Sequence, residues 1–134
     1  MKKKIAILGS TGSIGKTLIE IIKKDKKNFE VILLTAHKSY KEILKQAKIL
    51  QVKNLIITDK KSYLHLSKNK LGKINIYNNY DSFNKIFKRK VDYVMSSISG
   101  INGLVPTIKI IRFTKKIAIA NKEAIICGWH LIKK

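Results

Sequence analysis

Glycine recurs at every third position across Gly9, Gly12 and Gly15, in the run GSTGSIG at 9–15. An apolar stretch, KIAIL at 4–8, leads into the run, and apolar residues at Ile14, Leu18, Ile21 and Ile22 follow with helical spacing. Glycine lets a backbone turn tightly and approach another group closely. A helix that begins just after such a turn offers free N–H groups and a partial positive charge. The chemistry this predicts is cradling of a pyrophosphate, with Thr11 and Ser13 adding hydroxyl donors. The run is not a Walker loop, because the four-residue gap between glycines that such a loop needs is missing. Lys38 stands about 20 residues beyond the turn, where dinucleotide sites place the group that reads the ribose. The segment around it, Thr35 to Ser39, holds no acid, so a 2′-hydroxyl reader is absent and the expected cofactor is NADPH.

Other reactive residue types form no constellation. Cys127 lies in an apolar stretch without a His/Asp constellation around it and is expected in the core rather than as a nucleophile. His65 and His130 have no ligand spacing around them. The eight acids are scattered, so neither a carboxylate pair nor a metal cluster is expected from this chain.

The turn must be held by the elements around it. Strand-like runs fall at 4–8, 30–35, 55–58, 74–77, 91–96 and 116–120. Helical patterns fall between them at 14–22, 40–50, 59–71, 83–87 and 103–113, and a last one opens at 122. Asp59 is placed to cap the helix it precedes, and Pro106 fits only the first turn of its own helix. Alternation of this kind predicts a Rossmann-like, doubly wound α/β domain over residues 1–134, with a mainly parallel sheet and helices on both faces.

Composition narrows the function classes. At 134 residues and 45% hydrophobic, the chain can build one real core. A single cysteine excludes an internal disulfide framework and points to a reducing compartment. No apolar run is long enough to span a membrane, and the N-terminus lacks a signal peptide, so a cytoplasmic protein is expected. The net charge of +21 raises the question of nucleic acid. However, arginine occurs only at Arg89 and Arg112, and the lysines are spread along the whole chain. Specific base reading favours arginine's planar fork. No specific nucleic-acid partner is expected; the charge suits anionic small molecules.

Three segments give a further reading. The start IAILGSTGSIGKTLIEII, the middle VDYVMSSISGINGLVPTIKII and the end KKIAIANKEAIICG together resemble the 1-deoxy-D-xylulose 5-phosphate reductoisomerase family. The resemblance runs along the whole chain and corresponds to that family's N-terminal NADPH-binding domain, which makes the chain look like a fragment. It implies that Thr11, Gly12, Ser13 and Ile14 bind the pyrophosphate. It also implies that His37, Lys38 and Ser39 meet the adenosine phosphate, although the family commonly has Gly-Lys/Arg-Asn there. Asn121 and Glu123 match cofactor contacts near the nicotinamide, Lys122 matches a substrate-contacting lysine, and Ala124 stands where the family often has serine. The complete enzyme is expected to rearrange a phosphorylated ketose on Mg²⁺ or Mn²⁺, whose ligands lie in a later segment. It then reduces the product with NADPH to 2-C-methyl-D-erythritol 4-phosphate, and is expected to be a homodimer. By itself this chain is expected to bind cofactor without turnover. The alternatives are a stand-alone NADP-binding module and an NADPH dehydrogenase of the semialdehyde type.

Overall fold

The computed structural model describes residues 1–69 and 71–133, Ala124 by its backbone alone. The reading of the Ala124 side chain therefore lies outside the described residues. Six strands alternate with helices: β1 (Lys3–Leu8), α1 (Ser13–Lys23), β2 (Phe29–Ala36), α2 (Tyr40–Leu50), β3 (Asn54–Ile57), α3 (Lys60–Ser67) and β4 (Asn75–Tyr77). Then come α4 (Phe83–Ile86), β5 (Val91–Ser96), α5 (Leu104–Ile110), β6 (Thr114–Ile119) and α6 (Lys122–Ile132). Every strand pairing is parallel, and the order is β4-β3-β2-β1-β5-β6. The chain winds outward from β1 to β4, then crosses back to lay β5 on the other side of β1. The expected doubly wound architecture is borne out.

Alternation along β1 explains how one sheet is covered twice. Ile5 and Ile7 join a core that includes Ile19 and Ile22 of α1, Ile43 and Ala47 of α2, and Leu66 of α3. Ala6 and Leu8 face the other way, into a core with Phe83 of α4, Phe87, Val94 and Ile110 of α5. Successive strand side chains point to opposite faces, so a strand in the middle of such a sheet must be apolar throughout. Aromatic packing closes the second core, with the rings of Phe87 and Phe113 stacked 5.4 Å apart.

Several boundaries and one burial differ from the sequence reading. The last strand starts at Thr114, not Lys116, because Thr114 is buried opposite Val91 while Lys115 and Lys116 stay exposed on the sheet's edge. The helix read over 59–71 is α3, ending at Ser67. Cys127 is exposed, not in the core. On α6 the residue turned inward is Gly128, where an added Cβ would lie 2.3 Å from Leu104 Cδ1 of α5. Close approach of the two helices at Gly128 leaves Ile126, Trp129 and Leu131 outward. Among the described residues no helix is long and apolar enough to cross a membrane.

Asp59 caps α3 as its position predicts, accepting from the Ser62 amide at 3.1 Å and the Ser62 hydroxyl at 2.8 Å. These Ser62 bonds hold its carboxyl below the usual carboxylate value, with the nearby Lys38 and His37 charges helping. A depressed folded value means the cap is fully present above about 3.8 and is lost as pH falls through the lower folded value. Asp59→Ala should lower the thermal midpoint by a few degrees at neutral pH. The difference from wild type should vanish once pH falls below the depressed folded value, where both chains lack the charged cap. A gap that persists unchanged in acid would show that the charge is not what α3 uses.

Candidate functional site

The glycine run sits at the C-terminal end of β1, where strand order reverses between β2 on one side and β5 on the other. Both neighbours grip it. From β2, the Thr35 hydroxyl accepts from the Gly9 amide at 2.9 Å, and the Thr35 carbonyl accepts from the Ser10 amide at 3.0 Å. Beyond β5, the Ser97 hydroxyl donates to the carbonyls of Leu8 (2.8 Å) and Gly9 (3.2 Å). Gly9 itself has φ of +76°, a region where side chains are strained.

The three glycines have different reasons to lack a side chain. At Gly15 a Cβ would lie 2.4 Å from the Gly9 carbonyl oxygen and 2.6 Å from Ser10 Cα, so α1 and the turn are in direct backbone contact. Gly12 has an ordinary backbone (φ −77°), and its nearest neighbour to an added Cβ is 3.7 Å away. Nothing in the fold needs glycine there; what it leaves is open space at the mouth of α1. No side chain caps that helix, and its first turn holds no acid. Uncapped amides behind an open glycine make an anion seat.

A cleft of about 490 Å³ opens beside the turn. Gly9, Thr11 and Gly12 form its floor, with Ser97, Ile98 and Ser99 from the end of β5 on one side. On the other side stand Thr35 and Ala36 from β2, His37 just past it, Thr58 just past β3, and Tyr80. His37 Nδ1 lies 2.8 Å from the Thr58 hydroxyl. Burial pushes the Tyr80 phenol above its usual value, against the opposing hydrogen bond from Thr58. Lys38 and Ser39 are exposed at the rim and do not line the cleft. The Ser39 hydroxyl, at the start of α2, makes no capping hydrogen bond.

A second hollow of about 220 Å³ lies across the Ser97–Ser99 backbone from the first. It brings Ile14, Asn121 and Glu123 together. The Asn121 amide donates to the carbonyls of Ile98 (2.6 Å) and Gly100, while its oxygen accepts from the Glu123 amide at 2.9 Å. Asn121 thus ties the loop after β5 to the start of α6. Lys122 is exposed next to it but is not part of that wall. Ser13 opens α1 and is exposed.

Sequence reasoning missed Thr58, Tyr80 and the Ser97–Ser99 wall. Their signal was positional: polar residues just past the apolar runs of β3 and β5. It also missed that Asp59, from the end of β3, comes near Lys38 although the end of β2 carries no acid. Its carboxylate is engaged with Ser62, so it is not poised as a ribose reader.

A family model described as 1-deoxy-D-xylulose 5-phosphate reductoisomerase matches residues 5–128. The reductoisomerase of Pelagibacter ubique (strain HTCC1062) is 59% identical over 135 residues, covering 98% of this chain and 35% of that protein. The Wolbachia pipientis wMel protein of the same name is 39% identical and is covered over 34% of its length. Among solved structures, the Zymomonas mobilis reductoisomerase in complex with NADPH superposes with a TM-score of 0.87 at 30% identity, over 99% of this chain and 36% of that one. A reductoisomerase in complex with NADPH, fosmidomycin and magnesium gives 0.86 at 25% identity, over 98% of this chain and 34% of that one. The chain spans about a third of the length of the curated relatives it matches.

Proposed function

Because the chain belongs to the 1-deoxy-D-xylulose 5-phosphate reductoisomerase family, we propose that it seats NADPH for the reduction step of that enzyme. The observation that carries this reading is Gly12, a glycine that neither backbone strain nor packing explains, at the uncapped start of α1. The residues fit a dinucleotide. Thr11, Gly12, Ser13 and Ile14 hold the pyrophosphate against the helix N-terminus. His37, Lys38 and Ser39 meet the 2′-phosphate. Asn121 and Glu123 bound the hollow that receives the nicotinamide, and Lys122 reaches toward a phosphorylated ketose. NADPH supplies the hydride when bound, and the chain's own part is to bind and orient it.

A metal is a different matter. Among the described residues no three His, Cys, Asp or Glu gather where they could hold one. The described residues do not fit a divalent ion. These 134 residues by themselves bind cofactor in this reading without turning over 1-deoxy-D-xylulose 5-phosphate, since no metal-ligating group gathers among the described residues. In this reading the complete enzyme is a cytoplasmic homodimer that makes 2-C-methyl-D-erythritol 4-phosphate, and the basic surface serves anionic substrates rather than a specific nucleic acid. The matched relatives carry the reductoisomerase name, which disfavours the semialdehyde-type alternative.

The test is a fluorescence titration of the 134-residue chain with NADPH and NADH. Saturable binding is expected for NADPH, at least about tenfold tighter than for NADH. Folded chain that binds neither would refute the reading. Oxidation of NADPH by the pure chain with substrate and Mg²⁺ would refute the claim of binding alone.

A further inference from the structure

Gln46 is a polar residue on the apolar face of α2, between the core residues Ile43 and Ala47, and it is only 4% exposed. Its Nε2 donates to the Ser10 carbonyl at 3.0 Å. Its Oε1 is buried and has no hydrogen-bond partner among the described residues. An unpaired buried acceptor is unfavourable, and an apolar residue of similar size would remove it. Stability alone therefore does not account for glutamine here.

Its bond lands on the glycine turn. Ser10 is fully buried, and its amide is already committed to Thr35 on β2. Thr35 and Ser97 hold the strand side of the turn at Leu8, Gly9 and Ser10. Gln46 reaches the Ser10 carbonyl from the helix side, one residue before Thr11. That peptide plane sets the direction in which the next amides point.

We propose that Gln46 is a positioning residue for the cofactor: by holding the Ser10 carbonyl, it fixes the turn so that the amides of Thr11 and of residues 13–15 face the pyrophosphate. The proposal rests on the NADPH reading above. Without this donor, the buried Ser10 carbonyl must find another, and the turn rotates to do so.

The test compares wild type with Gln46→Met and Gln46→Glu. Methionine matches glutamine in length and helix propensity. It removes one unpaired acceptor, Oε1, and creates one at Ser10, so the cofactor-free midpoint should stay within about 4 °C of wild type. The Kd for NADPH should rise about 5- to 10-fold, the effect of one neutral hydrogen bond. The amide hydrogens of Gly12 and Lys16, which bond to the Gly9 and Gly12 carbonyls, should exchange faster while those of β1 and β2 do not change. Gln46→Glu keeps the shape but offers only acceptors at neutral pH, so it should bind NADPH no better than the methionine variant. Either variant binding as tightly as wild type overturns the proposal and leaves the NADPH reading intact. So does a Gln46→Met chain that loses cofactor-free stability well beyond 4 °C, since Gln46 is then a structural residue. A folded wild type that does not bind NADPH brings down both.

Discussion

Gly15→Ala is expected to cost the fold about 3 kcal/mol or more, while Gly12→Ala, three residues earlier, costs it nothing. At Gly15 the new methyl meets only backbone: the Gly9 carbonyl oxygen at 2.4 Å, Ser10 Cα at 2.6 Å and the Ser10 carbonyl carbon at 2.8 Å. None of these can swing aside as a side-chain tip can. The whole N-terminus of α1 must lift from the turn, loosening the packing of Ile19 and Ile22 in the core behind it. Gly12→Ala places its methyl in open space on a backbone any residue adopts. Reduced freedom of the unfolded chain should even stabilise it, by about 0.4–1 kcal/mol. Its loss should appear in binding instead: in the proposed seat the methyl stands where the pyrophosphate approaches, and NADPH affinity should fall tenfold or more. Thermal unfolding and a cofactor titration on both variants separate the two roles. Wild-type affinity in Gly12→Ala would mean that the cofactor does not pass over Gly12.

Lys38→Ala is expected to weaken NADPH about 10- to 100-fold and leave NADH nearly unchanged. A charge-assisted hydrogen bond to phosphate contributes roughly 1.5–3 kcal/mol, which converts to that range. The backbone at Lys38 is held in place, its carbonyl accepting from the Tyr40 amide at 2.8 Å. The side chain is therefore presented from a fixed base at the rim of the cleft. Asp59 makes the loss larger. With Lys38 gone, that carboxylate faces an incoming 2′-phosphate without its neighbouring cation, and like charges repel. The effect should shrink as salt rises, because both groups lie near solvent. Equal losses for the two cofactors would place Lys38 away from the 2′-phosphate.

The sheet was legible because its strands are short apolar runs between turn residues, and β5 has the bounds its sequence suggests. The start of β6 was not, since an edge strand tolerates lysines that read as loop. Cys127 was misplaced for a related reason. Ile125, Ile126, Trp129, Leu131 and Ile132 make α6 apolar on most sides, so no stripe marks its inner face, and the glycine that does mark it carries no hydropathy signal. At the site, the turn and the end of β2 were readable because each is a local pattern. The walls built by Thr58, Tyr80 and Ser97–Ser99 were not. They meet the turn only through strand order, which periodicity does not encode. Gln46 was invisible for the same reason, since a lone glutamine in a helical pattern reads as surface.

The position of β1 between β2 and β5 also governs the order in which the molecule can be assembled. This strand leaves the ribosome well before β5, so one of its two edges waits for partners far along the chain: the Lys4 amide bonds to the Asp92 carboxylate, 88 residues later. At synthesis rates of about 5–20 residues per second, that interval is roughly 4–18 s. Throughout it the apolar edge of β1 has only β2 beside it, a template for wrong pairing. The Ser97 bonds to Leu8 and Gly9 belong to the same late step, so the phosphate turn acquires its second grip only when β5 docks. Cofactor then selects for chains that have completed this pairing, and NADPH present during refolding should raise the yield of native protein without speeding the early collapse around α1 and α2.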